Sequence, residues 1–247
     1  MKIRNWCFLA AMLMGVADHS LAGDANDSGA SIRYVGAKPV TAEQEILQKV
    51  IETTVIEVRQ LLPDMPEKIT FVVELVDMDL DIIGGITGRA DAHKPEGEIA
   101  LYISTSFPGG LTSSSKVALP HVLFHELHHL TTGWTMRENQ HAPTILNAAV
   151  NEGLAEVFSE VQTGHTFDVN QPPSNAANWL AEIKQLPMGA NYNHWVSGIH
   201  PDGREYIGYK TGVYLVREAM QNSGLNIIEL SKLPTDKIVE FAEAKMD

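Results

Sequence analysis

The residues best suited to chemistry lie in Pro120-His121-Val122-Leu123-Phe124-His125-Glu126-Leu127-His128-His129-Leu130, which holds the pattern H-E-x-x-H at His125, Glu126 and His129. On a helix, residues four apart lie one above the other on the same face. Two imidazoles placed that way can grip one metal ion, with the Glu126 carboxylate close beside them. Catalytic zinc takes three protein ligands and keeps a fourth position open for water, so a third ligand is needed. The helical run Thr144 to Phe158 offers two, Glu152 and Glu156, four apart on a face that otherwise reads small or apolar. One carboxylate can complete the metal shell while the other accepts the outer N–H of a ligand histidine. For these residues to be inert, both helices would have to mimic a site independently, one with core or surface histidines and one with a solvated acidic face.

Several elements must position these two helices. Lys2 and Arg4 precede an apolar run from Trp6 to Val16, and Ser20-Leu21-Ala22 ends in a small-x-small cleavage pattern. This reads as a signal peptide over 1–22, too short to span a bilayer as a helix, and implies a periplasmic or secreted protein. Cys7 is the only cysteine and falls in that leader, so the exported chain would rely on its core and its metal rather than on disulfides. About 225 residues remain, enough for one domain over 41–247, or two packed halves meeting near 134–143. The formal charge of −13 becomes about −14 without the leader, which argues against nucleic-acid and anionic-membrane partners.

Residues 23–40 read as a flexible lead-in. Thr41-Ala42-Glu43-Gln44 has the form of a capping box, opening a helix whose Leu47, Val50, Ile51, Thr54, Val58 and Leu61 make a core-facing stripe. Ile69 to Val76 reads as a buried strand and Glu98 to Ser104 as a second one. Asp77-Met78-Asp79-Leu80-Asp81 alternates carboxylates, but Ile82 stands where a calcium loop needs Gly, so a solvated turn is expected. Gly84-Gly85-Ile86-Thr87-Gly88-Arg89 lacks the G-K-[ST] ending of a phosphate cradle and reads as a turn between strands. Thr144 should cap the second metal helix and Gly164 close it; Asp202 should cap a later helix in which Gly208 and Gly212 permit a close helix approach. Asn226 to Glu229 forms another capping box, and Thr235 opens a last amphipathic helix.

Asn151-Glu152-x-x-Ala155-Glu156 resembles the N-E-x-x-[SA]-[DE] helix of gluzincin metallopeptidases. The chain as a whole resembles a family of predicted zinc-dependent proteases, whose pattern is H-E-x-H-H, E-G-x-A-E and G-Y-x-x-G. Here these stand as His125 to His129, Glu152 to Glu156 and Gly208-Tyr209-Lys210-Thr211-Gly212, with the resemblance covering roughly residues 41 to 245. It implies an α+β, zincin-like fold with a small antiparallel sheet and several helices around a zinc cleft. It also implies one catalytic Zn²⁺ on His125, His129 and Glu152, with Glu156 orienting His125 or His129. Glu126 would be general base toward a zinc-activated water, and Tyr209 the first choice of oxyanion stabiliser, ahead of Tyr206 and His200. By analogy, Glu98 to Ser104 would be the edge strand that binds extended peptide. His128 points off the metal face and suits packing or contact behind the ligands. His121 suits the cleft or the surface, His194 with Trp195 a cleft wall, and His141 and His165 the surface. The expected function is an exported metallopeptidase with a peptide or protein substrate. A zinc hydrolase of non-peptide amides or esters and a non-catalytic zinc binder are the alternatives. The oligomeric state is left open.

Overall fold

The computed structural model describes residues 28–91, 97–132 and 144–244. The expected leader with Cys7, the start of the lead-in, the connector 134–143 with His141 and the last three residues lie outside the described residues.

Four strands, β1 (Ala30–Val35), β2 (Ile69–Val76), β3 (Ile86–Asp91) and β4 (Glu98–Ser104), form one sheet in the order β1-β2-β4-β3. β1 pairs with β2 and β2 with β4 in parallel, while β3 and β4 are antiparallel. The α+β class stands, but the sheet is mixed, not antiparallel. Parallel neighbours need a crossover connection. Helix α1 (Thr41–Leu61) carries the chain from β1 to β2, and β3 intervenes between β2 and β4.

β1 falls within the stretch expected as a flexible lead-in. Its register, Ala30 against Ile69 through Val35 against Glu74, places Ile32 and Tyr34 against the core. The edge strand also differs from expectation. β4 lies between two neighbours, and the edge beside the H-E-x-x-H helix is β3, in the stretch read as a turn. Gly88 explains the misreading, because glycine weakens a strand pattern yet is needed where another backbone element passes close. A Cβ at Gly88 would lie 2.6 Å from Glu126 Cγ and 2.9 Å from Val122 Cγ1.

Ile69, Phe71 and Val73 of β2 and Ile99, Leu101 and Ile103 of β4 share one core with Leu47 and Ile51 of α1. The same core takes in Leu119, Leu123 and Leu127 of the central helix α3 (Ala118–Thr132), which follows the short α2 (Gly110–Ser114). α4 (Ile145–Thr163) packs along α3, capped as expected: Thr144 Oγ1 accepts the Asn147 N–H at 3.1 Å, and Gly164 takes φ +66°. α5 (Ala176–Ile183) and a π turn at Asn193–Ser197 precede α6 (Ile207–Ser223). Tyr206, not Asp202, is the residue before α6; Asp202 instead accepts from Arg204 and pairs with His200. α7 (Ile227–Leu230) opens on the expected reciprocal cap between Asn226 and Glu229, and α8 (Thr235–Glu243) follows. No described helix is long and apolar enough to cross a membrane.

α4 and α6 meet backbone to backbone. A Cβ on Gly153 would lie 2.3 Å from the Gly212 carbonyl carbon, and one on Gly212 would lie 1.9 Å from the Ala149 carbonyl oxygen. Both obstacles are main chain, so Gly212→Ala must push the helices apart. A loss of about 1–3 kcal/mol or more is expected, the scale of core overpacking. Urea titration of both proteins measures it; equal midpoints at equal slope would contradict the close crossing.

Candidate metal centre

Every residue of α3 from His121 to Leu130 is buried, so its four histidines and Glu126 sit where unpaired polar groups are costly. Their partners come mainly from α4. His125 Nε2 and His129 Nε2 lie 3.0 Å apart, and Glu152 Oε2 is 3.2 Å from each. The three donors converge at one point, as the turn-spaced residues of two facing helices should. Tetrahedral zinc, with bonds of about 2.0–2.1 Å, requires ligand atoms separated by roughly 3.3 Å. The spacing fits. A proton can bridge only one edge of this triangle at a time, whereas a cation at its centre satisfies all three donors.

The electrostatics favour positive charge. Burial opposes protonation of His125, yet the Glu152 and Glu156 carboxylates outweigh it and raise its pKa to about 10. Burial alone would raise Glu152, but the two imidazoles hold it well below the usual carboxylate range. The two carboxylates thus make the triangle a place that draws positive charge.

Behind the triangle, α4 also holds the outer ring nitrogens. His125 Nδ1 lies 3.4 Å from Glu156 Oε2, and His129 Nδ1 lies 3.3 Å from Asn151 Oδ1. Acceptors on Nδ1 select the tautomer that presents the Nε2 lone pair to a metal. Glu156 thus meets His125, one of its two expected partners, and Asn151 does the same for His129. Nothing in the motif assigned Asn151 that duty; its signal is a poor helix former inside a helix, beside a candidate ligand. Glu156 Oε1 is 3.2 Å from His121 Nε2, so His121, 2% exposed, stands behind Glu156 instead of at the surface. His128 packs on Phe158 and bonds Ser231 Oγ at 2.8 Å, away from the donors.

Glu126 lies on the cleft side. Its Oε2 accepts the Ala90 N–H of edge strand β3 at 2.7 Å, and burial raises its pKa against the opposing pull of His125 and His129. Tyr209 brings its ring to 6.2 Å from that of His125, nearly parallel, a placement set by the α4–α6 crossing. Burial and then the Glu152 charge raise the Tyr209 hydroxyl well above its ordinary range. Tyr206 lines the same cleft with φ +52°, a left-handed backbone rare outside glycine. Tyr192, at the start of the π turn, donates its hydroxyl to Glu152 Oε1 at 3.3 Å, a contact that no motif in the sequence signals. His200 is taken up by Asp202 and Trp195, with His194 edge-on to it. His165 is half-buried, edge-on to Phe167 and His121.

A cleft of about 280 Å³ opens over His125, Glu126, Glu156 and Tyr209 and runs beside Ile86 to Gly88 of β3. The α+β body, with an H-E-x-x-H helix facing a glutamate-bearing helix across a cleft, defines a zincin-like protein with three ligand atoms grouped to suit one metal ion. Residues 88–240 match the family described as predicted Zn-dependent protease (DUF2268), and the chain belongs to that family. The match opens at Gly88, leaving β1, α1 and β2 ahead of it. No curated protein and no solved structure matches the chain.

Proposed function

We propose that the protein is an exported metallopeptidase that hydrolyses peptide bonds with one zinc ion held by His125, His129 and Glu152. The observation that carries the reading is the convergence of those three donors beside a fourth group, Glu126, that is not needed to bind the metal. Zinc, when bound, supplies a Lewis acid that polarises a carbonyl and lowers the pKa of water toward about 7. Glu126 takes the proton of the attacking water as the C–O bond forms and delivers it to the leaving nitrogen as the C–N bond breaks. The products are a carboxylate end and an amine end, with the water fully accounted for. Tyr209 stays protonated across neutral pH and donates to the carbonyl oxygen as negative charge builds there. Glu156 and Asn151 hold the two rings in register, and His121 holds Glu156. The outer edge of β3 offers main-chain groups to an extended peptide, with the Ala90 N–H already committed to Glu126.

Export rests on the leader pattern of residues 1–22. N-terminal sequencing of the mature protein should begin at Gly23; a retained leader would refute it.

The direct test is digestion of an unfolded protein and a peptide library by the zinc-loaded chain. Cleavage should stop with a chelator and return with added zinc. Hydrolysis of small amides or esters, with every peptide left intact, would replace this reading by the non-peptide one.

A further inference from the structure

We propose that the far end of the cleft is an apolar subsite that selects a bulky aliphatic or aromatic side chain next to the scissile bond and rejects an acidic one. This rests on the peptidase reading and adds a substrate class to it. Two surface loops, from β2 to β3 and after α4, turn apolar residues toward each other: Leu80 and Ile83 from the first, Phe167 and Val169 from the second. Val122 of α3 joins them. Ile82 sits on the rim, 61% exposed, and exposed apolar surface bordering a concave site marks ligand contact.

The placement determines which substrate residue is read. Val122 stands one helical turn before Glu126 on the same face, and both crowd Gly88. The apolar wall therefore begins about 5 Å from the proton-transferring carboxylate. That is within reach of a side chain flanking the scissile bond, whereas each further residue of an extended peptide moves about 3.3 Å away. Charge supplies the second half of the selection. The ionised or ionisable acids lining the cleft are Asp79, Glu126 and Glu156, and no Lys or Arg lines it among the described residues. A substrate Asp or Glu would meet like charge there and no Lys or Arg, because the His121 and His125 imidazoles that also line the cleft are already paired with Glu156 and Glu152.

Digestion of a proteome-derived peptide library by the zinc-loaded full chain, with cleavage sites mapped by mass spectrometry, tests the subsite. One of the two flanking positions should favour Leu, Phe, Ile and Met over Ala by roughly 10–200-fold in kcat/KM, the range methylene-scale discrimination reaches. Asp and Glu should be depleted at that position. Val169→Arg places a cation in the half-buried loop and should shift the same position toward Asp and Glu. Ile83→Ala, which only removes volume, should weaken the preference for the largest side chains, and serves if the arginine variant does not fold. Cleavage with no preference at either flanking position, or an unchanged profile in the folded variants, overturns the subsite and leaves the peptidase reading intact. If the zinc-loaded chain cleaves no peptide at all, both fall together.

Discussion

Glu126→Gln protein that carries as much zinc as the parent is expected to hydrolyse peptides about 10²–10⁴-fold more slowly, the usual contribution of a positioned acid–base group. The substitution isolates proton transfer. The glutamine carbonyl oxygen can still accept the Ala90 N–H that Glu126 Oε2 accepts at 2.7 Å, so β3 keeps its anchor on α3. None of the three converging donors is touched. What disappears is a carboxylate whose pKa burial raises against the opposing pull of His125 and His129. The loss should fall on kcat, with KM little changed, because the removed interaction acts on the reacting water. Metal analysis and peptide turnover on the same preparation measure it. A fully active variant would remove Glu126 from the mechanism. Tyr209→Phe in the same assay should cost about 10²–10³-fold at constant zinc content, as loss of an oxyanion donor does.

What could be read from the chain beforehand was what depends on short-range geometry. The turn spacing of His125 and His129, the Thr144 cap, the Gly164 stop and the Asn226–Glu229 box are set within a few residues, and each is found where expected. The close approach allowed by Gly212 was readable too, although its partner, Gly153, was not. The misreadings share a different cause. β1 carries only a short alternation, Ile32 and Tyr34 against Ser31 and Arg33, and is fixed as a strand by pairing with β2, more than thirty residues on. β3 carries a glycine that reads as a turn until Glu126 and Val122 are seen pressing on it. The parallel direction of β1 and β4 follows from crossovers, which alternation of apolar residues does not encode. The same divide runs through the site. His125, Glu126 and His129 announce themselves by spacing, and His121 lines the cleft as one reading had it, whereas Asn151, Tyr192 and the His121–Glu156 contact emerge only when α3, α4 and the π turn are brought together.

Zinc should raise the melting temperature of the parent chain, and Glu152→Ala should abolish that rise. A ligand bound only by the folded state stabilises by about 4 kcal/mol when present at a thousand times its dissociation constant. For a chain of this size that is worth roughly 8–16 °C between zinc-loaded and chelator-stripped protein. Removing Glu152 takes away the oxygen that lies 3.2 Å from both Nε2 atoms, leaving two imidazoles 3.0 Å apart as the remaining donors where catalytic zinc takes three. It also strips His125 of a carboxylate partner in a buried place, so the metal-free variant should itself melt below the metal-free parent. Glu156→Ala separates the two effects. It spares the three donors but frees His125 Nδ1 and His121 Nε2, so zinc should still bind, roughly 10–100-fold more weakly. The zinc-induced shift should therefore fall in the order parent, Glu156→Ala, Glu152→Ala, reaching zero in the last. Calorimetry with and without chelator reads all three. If Glu152→Ala kept the parent's full shift, the ion would have to sit elsewhere, and the triangle of two nitrogens and one oxygen would be a buried ion pair with no metal to hold.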